Sequence, residues 1–182
     1  MKKYLIIFIL FLLLAILSGC SLLPHAKVKM LYPVESENLY FEDDLIKISF
    51  VFYENKIYYE LENKISSELQ INWRNATFTY SSGKSTYLAC FNPDDVYYYT
   101  CYNPFYVSNI LPYGKVKAYM IPYDILEYEY DSYWGSYYYS IEGEIYSEFK
   151  RGIYNVGIKI PVYIKDSAKT ITYSFIFSIE VK

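Results

Sequence analysis

The C-terminal end of the chain alternates apolar and polar side chains, and this alternation constrains the fold more than any other feature. In residues 170–181, apolar side chains occupy every second position, which is the period of a β-strand with one buried face. Residues 153–164 show the same pattern, and residues 165–169 have the composition of a turn, so we predict a long β-hairpin. Because Pro161 has no amide hydrogen to donate, we expect its strand to lie at an edge or to bulge there.

Shorter segments with the same period precede this hairpin. They are residues 46–52, 57–62, 69–73, 77–80, 85–90, 96–102, 116–121 and 137–141. Turn residues separate them, and no window beyond the N-terminal segment has a convincing helical period. Short strands with a turn every roughly 8–12 residues are typical of two packed antiparallel sheets. The sequence therefore predicts an all-β fold, a two-sheet antiparallel β-sandwich over residues 37–182.

The N-terminus has the layout of a secretory signal peptide. Two lysines precede an uncharged apolar run, and the small residues Ser18 and Gly19 stand before Cys20. The sequence Leu17-Ser18-Gly19-Cys20 resembles the lipobox of bacterial lipoproteins. This resemblance implies cleavage after residue 19 and a thioether-linked diacylglycerol on Cys20.

Two other interpretations of this segment stay open. Residues 4–23 carry no charge, and about 20 apolar residues can span a bilayer as an uncleaved helix. A plain cleaved signal peptide is the other alternative, although it does not need the cysteine. Ser18, Gly19 and Pro24 interrupt the apolar run, which favours the lipoprotein.

The lipoprotein interpretation sets the domain organisation and the location. Residues 1–19 are the signal peptide, residues 20–36 are the lipidated cysteine and a tether with room for a short strand near 28–32, and residues 37–182 are the sandwich. A dozen extended residues of tether can lift the domain about 40 Å from the membrane. Ser21 follows the cysteine in place of an aspartate retention signal. By resemblance to other lipoproteins, we expect the outer membrane in a diderm organism, and otherwise the outer face of the cytoplasmic membrane.

Charge and residue types argue against several function classes. Loss of the two signal-peptide lysines leaves 15 of the 17 basic residues against 20 acidic ones, a net charge of −5. This mildly acidic balance argues against nucleic acid as a partner and against a polybasic lipid-binding surface. His25 is the only histidine and lies in the tether, so we expect neither a Ser–His or Cys–His pair nor a zinc site. We predict a non-enzyme without catalytic residues, metal or cofactor.

Three groups of carboxylates are the remaining candidates for catalysis or calcium binding. They are Asp43-Asp44, Asp94-Asp95 and the acidic residues between Asp124 and Asp131. None has the alternate spacing and glycine of a calcium-binding loop. A carboxylate pair can also serve as the acid and nucleophile of a glycosidase. Turns rich in Asp and Asn explain these groups without a site, and residues 92–95 have the composition of a β-turn.

Several motifs of the predicted strands and loops carry a resemblance. They are Leu61-Glu62-Asn63-Lys64, Leu69-Gln70-Ile71-Asn72-Trp73, Phe78 with Gly83-Lys84-Ser85, Ile110-Leu111-Pro112, Ile121-Pro122 and Tyr133-Trp134-Gly135. Over about residues 45–140 the chain resembles a family of bacterial envelope proteins, often lipoproteins, with an Ig-like sandwich and no assigned activity. The resemblance implies that the sandwich is Ig-like. Arg74 stands where the family has an acidic residue after the tryptophan, so no role of that carboxylate is carried over.

Cys90 and Cys101 are the cysteines left once Cys20 carries lipid. An exported compartment is oxidising, so we predict a disulfide between them that stabilises by on the order of 3 kcal/mol or less. The bridge needs an open loop over residues 91–100 or facing sheets, because a tight turn at 92–95 would place Cys90 opposite Tyr97. Two buried thiols that pack as small apolar side chains are the alternative.

Tyrosine is unusually frequent, with 26 residues in the chain. Because tyrosine supplies a large amphipathic contact area at low entropic cost, we predict a contact surface where it is densest. Its residues are Tyr128, Tyr130, Tyr133, Trp134, Tyr137, Tyr138 and Tyr139. Two simpler explanations stay open: the codon bias of an AT-rich genome, and a loop that folds its rings back over a sheet edge.

These observations together predict a membrane-anchored lipoprotein of the cell envelope with a non-catalytic binding or scaffolding role. Its expected partners are the membrane, through the lipid, and an envelope protein. The alternative is a module that binds carbohydrate or peptidoglycan through Tyr and Trp side chains. Trp73 alternates with Ile71 and is assigned to the core.

Overall fold

The computed structural model describes residues 26–53, 55–92, 105–132, 136–141, 145 and 150–182. The strands are β1 Ala26–Tyr32, β2 Tyr40–Glu42, β3 Ile46–Phe52, β4 Ile57–Asn63, β5 Leu69–Asn72, β6 Thr77–Thr79, β7 Ser85–Phe91, β8 Val107–Ile110, β9 Lys115–Pro122, β10 Leu126–Asp131, β11 Ser136–Ile141, β12 Gly152–Ile164 and β13 Lys169–Val181. Short 3₁₀ turns lie at Trp73–Asn75 and Tyr123–Ile125. The all-β prediction is confirmed. In the described part of the chain, no helix has the length and apolar character needed to cross a membrane.

Eleven of the strands form one antiparallel sheet, and the hairpin β10–β11 lies outside it. Nine strands follow one another in the order β1-β13-β12-β6-β7-β9-β4-β3-β2. Strand β5 pairs with β12 beside this path, and β8 pairs with β5. This nine-strand sheet is nearly closed and barrel-like. The prediction of a two-sheet Ig-like sandwich is therefore wrong.

Strand β7 joins the two layers that a sandwich would keep separate. It pairs with β6, as in Tyr87 with Thr77, and then with β9, as in Phe91 with Tyr119. The hydrogen-bonded ladder consequently continues from one wall to the other. Inward and outward residues alternate along a strand in both architectures, so the sequence pattern does not distinguish them.

Strand β1 comes from the segment that the sequence analysis assigned to the tether. It pairs with β13 from Ala26 opposite Val181, with a bulge after Met30. The chain then folds back, because Met30 and Ser36 exchange two backbone hydrogen bonds of 2.9 and 3.0 Å. Ion pairs between Lys27 and Glu37 and between Lys29 and Glu35 reinforce this return. The returning chain covers part of an edge that would otherwise expose unpaired backbone groups.

The C-terminal hairpin is confirmed as β12 and β13, which pair along their whole length. Strand β12 is not an edge strand, since β5 and β6 pair with its other side. Pro161 nevertheless fits, because β6 pairs only up to Lys159 and β5 only from Val162. The proline therefore lies opposite the interruption between β5 and β6, where no donor is needed from it.

The interior is filled by side chains from both walls. Phe50 of β3 lies with its ring centroid 4.9 Å from that of Phe175 and 5.2 Å from that of Phe177, both on β13. These edge-to-face contacts join the two walls across the interior. Trp73 is fully buried, and its Nε1–H donates to Ser108 Oγ at 2.8 Å, so its assignment to the core is confirmed.

The sheet has two rims with different residues. The N-terminal rim contains Ala26, Gly152 and Val181, which adjoin in register, together with the end of β3, the start of β4 and the turn over residues 80–84. The distal rim contains the turns at 63–68, 111–114 and 165–168. Buried Asn63 ties the distal rim together: its Nδ2 donates to the carbonyls of Ser67, Ile110 and Leu111 at 2.8, 3.2 and 3.0 Å, and its Oδ1 accepts from the Ile65 amide at 3.1 Å.

Candidate contact surface

A small second core lies on the outer side of the barrel wall. Ala89 and Phe91 of β7 and Ile121 of β9 are fully buried there, although they point away from the main interior. Residues that cover them come from the segment after β9 and from the hairpin. They are Ile125, Leu126, Tyr139 and Ile141. Strand β7 is consequently apolar on both faces, and its outer face holds the hairpin in place.

The hairpin places its tyrosines in register. Tyr128 pairs with Tyr139 and Tyr130 pairs with Tyr137, while Leu126 pairs with Ile141 at the base. Because side chains alternate along a strand, Leu126, Tyr128 and Tyr130 share one face of β10. Leu126 and Tyr139 are half-buried against the second core, whereas Tyr128 and Tyr130 are 58% and 56% exposed. This face is therefore covered at its base and uncovered towards the turn.

The exposed rings continue into a strip that crosses from β7 to the hairpin. We define the aromatic strip by six residues: Tyr87, Phe105, Tyr123, Tyr128, Tyr130 and Tyr139. Successive ring centroids lie 6.2 Å apart for Tyr87 and Phe105, 5.0 Å for Phe105 and Tyr123, 6.3 Å for Tyr123 and Tyr139, and 4.9 Å for Tyr139 and Tyr128. The rings meet at edge-on or tilted angles, the geometry that aromatic pairs prefer. Five of the six rings are thus connected, although they come from separate parts of the chain, and Tyr130 shares the β10 face of Tyr128.

Polar contacts hold the middle of the strip. Asp124 follows Tyr123 in the 3₁₀ turn; its Oδ1 accepts from the Tyr80 hydroxyl at 2.8 Å and its Oδ2 pairs with Lys84 Nζ at 2.7 Å. Both partners lie on the β6–β7 hairpin, so the turn that carries Tyr123 is tied to the barrel wall. This carboxylate is engaged in holding structure rather than being presented to a ligand.

The predicted contact surface is only partly described. Three of its predicted residues belong to the aromatic strip: Tyr128, Tyr130 and Tyr139. Strand β11 also contains Tyr137 and Tyr138, whose side chains are outside the described part of the structure. The remaining two, Tyr133 and Trp134, lie outside the described residues. Sequence reasoning missed Tyr87, Phe105 and Tyr123. The sequence around these three residues does not predict the aromatic strip, because their ring contacts depend on which face of β7 the hairpin covers.

Cys90 is buried in the main core beside two tyrosines. Its Sγ lies 3.8 Å from the Tyr59 hydroxyl and 3.4 Å from the Tyr106 hydroxyl, and Tyr106 also donates to Asn92 Oδ1 at 3.2 Å. Burial, and then the neighbouring Cys90 and Tyr106, raise the pKa of Tyr59 well above its usual value. Cys101 and the lipidation residue Cys20 lie outside the described residues. The disulfide between Cys90 and Cys101 stays a prediction.

Among the carboxylate candidates, Asp43 is engaged in a turn, as Asp124 is. Asp43 Oδ1 accepts from the amides of Leu45 and Ile46 at 2.8 Å each, and its Oδ2 accepts from the Tyr173 hydroxyl at 2.9 Å. Asp94 and Asp95 lie outside the described residues. Within the described ranges, no group of three or more His, Cys, Asp and Glu side chains is placed to hold a metal ion.

Comparison of the chain with protein-family models, with curated proteins and with solved structures found no match in any of the three.

Proposed function

We propose that this chain is a non-catalytic binding or scaffolding protein of the cell envelope, anchored by lipid on Cys20, and that the aromatic strip is its contact surface. The observation that carries the proposal is the exposure of Tyr128 and Tyr130 on a hairpin that stands on its own small core. Large aromatic side chains are enriched at the centres of protein interfaces. An envelope protein is therefore the expected partner.

The second core supports this role because it holds the hairpin in a defined position before a partner arrives. Phe91 and Ile121 are fully buried beneath the hairpin, and Asp124 ties the adjacent turn to the wall. A contact surface that is ordered in advance loses less conformational entropy on binding. Tyrosine adds rigid contact area with only two rotatable side-chain bonds.

A glycan of the envelope, such as peptidoglycan, is the second candidate partner. The connected rings of the aromatic strip favour it, since neighbouring tyrosine rings offer apolar faces to sugar C–H groups and hydroxyls to sugar oxygens. A hydrolase is not proposed, because Asp43 is engaged in a turn and Asp124 in an ion pair with Lys84.

The anchor is tested by metabolic labelling with a clickable fatty acid. Wild-type protein should carry the label, and Cys20→Ala should carry none and accumulate as the uncleaved precursor. Labelling of the Cys20→Ala variant would contradict the lipid anchor.

The contact surface is tested by photo-crosslinking of the full-length protein in the cells that produce it. p-Benzoylphenylalanine in place of Tyr128 should give a discrete crosslinked species, while the same group in place of Tyr113 should not. Tyr113 is the matched control, since it is 67% exposed and lies at the distal rim. Identical crosslinking patterns at both positions would contradict the proposed surface.

Binding to purified peptidoglycan sacculi separates the two partners. The double variant Tyr128→Ala with Tyr130→Ala should lose co-sedimentation with sacculi if the partner is a glycan, whereas Tyr113→Ala should keep it. If wild-type protein does not co-sediment with sacculi but crosslinks to a protein through position 128, the protein partner is supported.

A further inference from the structure

We propose that the N-terminal rim of the sheet docks on the anionic surface of the membrane that holds Cys20. This inference rests on the proposed lipid anchor and adds an orientation to it. Strand β1 begins at Ala26, so only residues 21–25 separate it from Cys20. The six residue steps from Cys20 to Ala26 span at most about 22 Å when fully extended. The rim therefore lies close to the headgroups, much closer than the 40 Å expected from a longer tether.

Cationic side chains gather at this rim. Lys150, Arg151 and Lys182 are exposed where β12 begins and β13 ends, and none of the described ion pairs includes them. Lys56 lies at the same rim, with its Nζ 4.6 Å from the centre of the Tyr119 ring. Juxtamembrane Lys and Arg side chains are attracted by anionic headgroups within about a Debye length of the surface.

An exposed apolar side chain stands among these cations. Ile153 is 72% exposed, the largest exposed fraction among the described large hydrophobic residues. It pairs in register with Glu180, which in turn lies opposite Lys27. A shallow groove of about 410 Å³ runs between residues 151–153 and 180–182, and Glu180 is the only carboxylate side chain among the described residues that line it. Cations beside an exposed apolar residue are the composition of a surface that rests in the membrane interface.

The turns of the distal rim lack this combination. Both of their lysines are paired locally: Lys64 with Glu42 at 2.7 Å, and Lys165 with Glu68 at 2.9 Å. Lys169, which follows the 165–168 turn at the start of β13, is in none of the described ion pairs. The net charge of −5 argued against a polybasic surface. That charge is summed over all residues after the predicted cleavage site, so it does not describe the local charge of one rim. The cations of the N-terminal rim are few, so they serve as a second signal beside the lipid rather than as an anchor by themselves.

The test uses the full-length lipidated protein reconstituted into vesicles of phosphatidylcholine with or without phosphatidylglycerol. p-Benzoylphenylalanine replaces Ile153 or, as the matched control, Leu111, which is 67% exposed at the distal rim. Illumination followed by mass spectrometry then measures phospholipid crosslinked to each position. We expect crosslinking at position 153 to exceed that at position 111 at least fivefold, and to fall when phosphatidylglycerol is omitted.

Charge reversal sharpens the test. Arg151→Glu with Lys182→Glu should lower crosslinking at position 153 by about tenfold or more. The control pair Lys159→Glu with Lys169→Glu makes the same change in net charge away from this rim and should leave crosslinking unchanged.

Flotation with the vesicles separates the two proposals. A chain that fails to float carries no lipid anchor, and this result would overturn both. A chain that floats but crosslinks equally at positions 153 and 111, or is insensitive to the charge reversal, would overturn the docking alone.

Discussion

The interior of the barrel-like sheet and the hairpin on its outer wall use aromatic side chains in opposite ways. In the interior, Phe175 and Phe177 are almost completely buried and touch rings from the facing wall. On the hairpin, Tyr128 and Tyr130 keep more than half of their surface in solvent. The main core joins strands from both walls of the sheet, whereas Ala89, Phe91 and Ile121 are the buried members of the second core among the described residues.

The interior rings therefore stabilise the fold, whereas the hairpin rings are presented to a partner. The interior removes most of its apolar surface from water, which is the dominant favourable term in folding. The hairpin removes less of its apolar surface from water and keeps tyrosine rings exposed for a partner. We therefore expect substitutions in the interior to unfold the protein, and substitutions in the hairpin to release only the hairpin.

The largest effect is expected from Phe175→Ala. This truncation leaves a cavity beside Phe41 and Phe50, whose ring centroids lie 5.8 and 4.9 Å from that of Phe175. The free energy of unfolding should fall by about 3–5 kcal/mol. Urea denaturation followed by circular dichroism measures this change, and a loss below about 1 kcal/mol would show that the facing walls do not depend on each other.

Asn63→Ala should cost about 3 kcal/mol, because it leaves the carbonyls of Ser67, Ile110 and Leu111 without their shared donor in a buried site. The same denaturation experiment applies. Asn72→Ala is the matched control, since exposed Asn72 only accepts a hydrogen bond from the Arg74 amide. Equal losses for the two variants would contradict the role of Asn63 in joining the distal rim.

Leu126→Ala tests whether the hairpin opens by itself. Leu126 is half-buried against the second core, so its truncation should weaken hairpin docking by about 1–2 kcal/mol. Amide hydrogen exchange should become about tenfold faster in β10 and β11 and stay unchanged in β12 and β13. Equal acceleration in all four strands would show that the hairpin and the sheet unfold as one unit.

Of these substitutions, Tyr173→Phe should change the free energy of unfolding least near neutral pH, and it should change the pH dependence of that free energy in alkali. Burial, and then the hydrogen bond to Asp43, raise the pKa of Tyr173 well above its usual value near 10. Between pH 10 and that raised value, the folded state keeps a proton that the unfolded state loses, so stability falls as the pH rises. Tyr173→Phe removes this contribution.

The loss of stability above pH 10 should therefore be less steep in this variant, by up to about 1.4 kcal/mol per pH unit. Below pH 9 the variant should lose only the hydrogen bond to Asp43, about 1 kcal/mol. Denaturation curves between pH 7 and 11.5 measure both quantities. Parallel pH dependences for the variant and the wild type would show that other groups, such as Tyr59, govern alkaline unfolding.

The strands themselves were readable from the sequence because their signals are local. Period-two alternation predicted β12 and β13, and the turn between β6 and β7 was predicted from a glycine that adopts a φ of +86° there. The turn carboxylate Asp43 was also predicted, since Asp side chains accept hydrogen bonds from amides a few residues later. The same alternation could not reveal that Ala89 and Phe91 are buried on the outer face of β7.

By itself, the sequence determined that this protein is all-β, with a long C-terminal hairpin, and it supplied the tyrosines between positions 128 and 139. The tertiary structure decided that β7 continues one sheet, that β1 joins it beside β13, and that Tyr87, Phe105 and Tyr123 meet the hairpin. Alternation and turn composition depend on neighbouring residues. Strand partners and ring contacts depend on which distant segments bury their apolar faces together, and period two is the same for every possible partner.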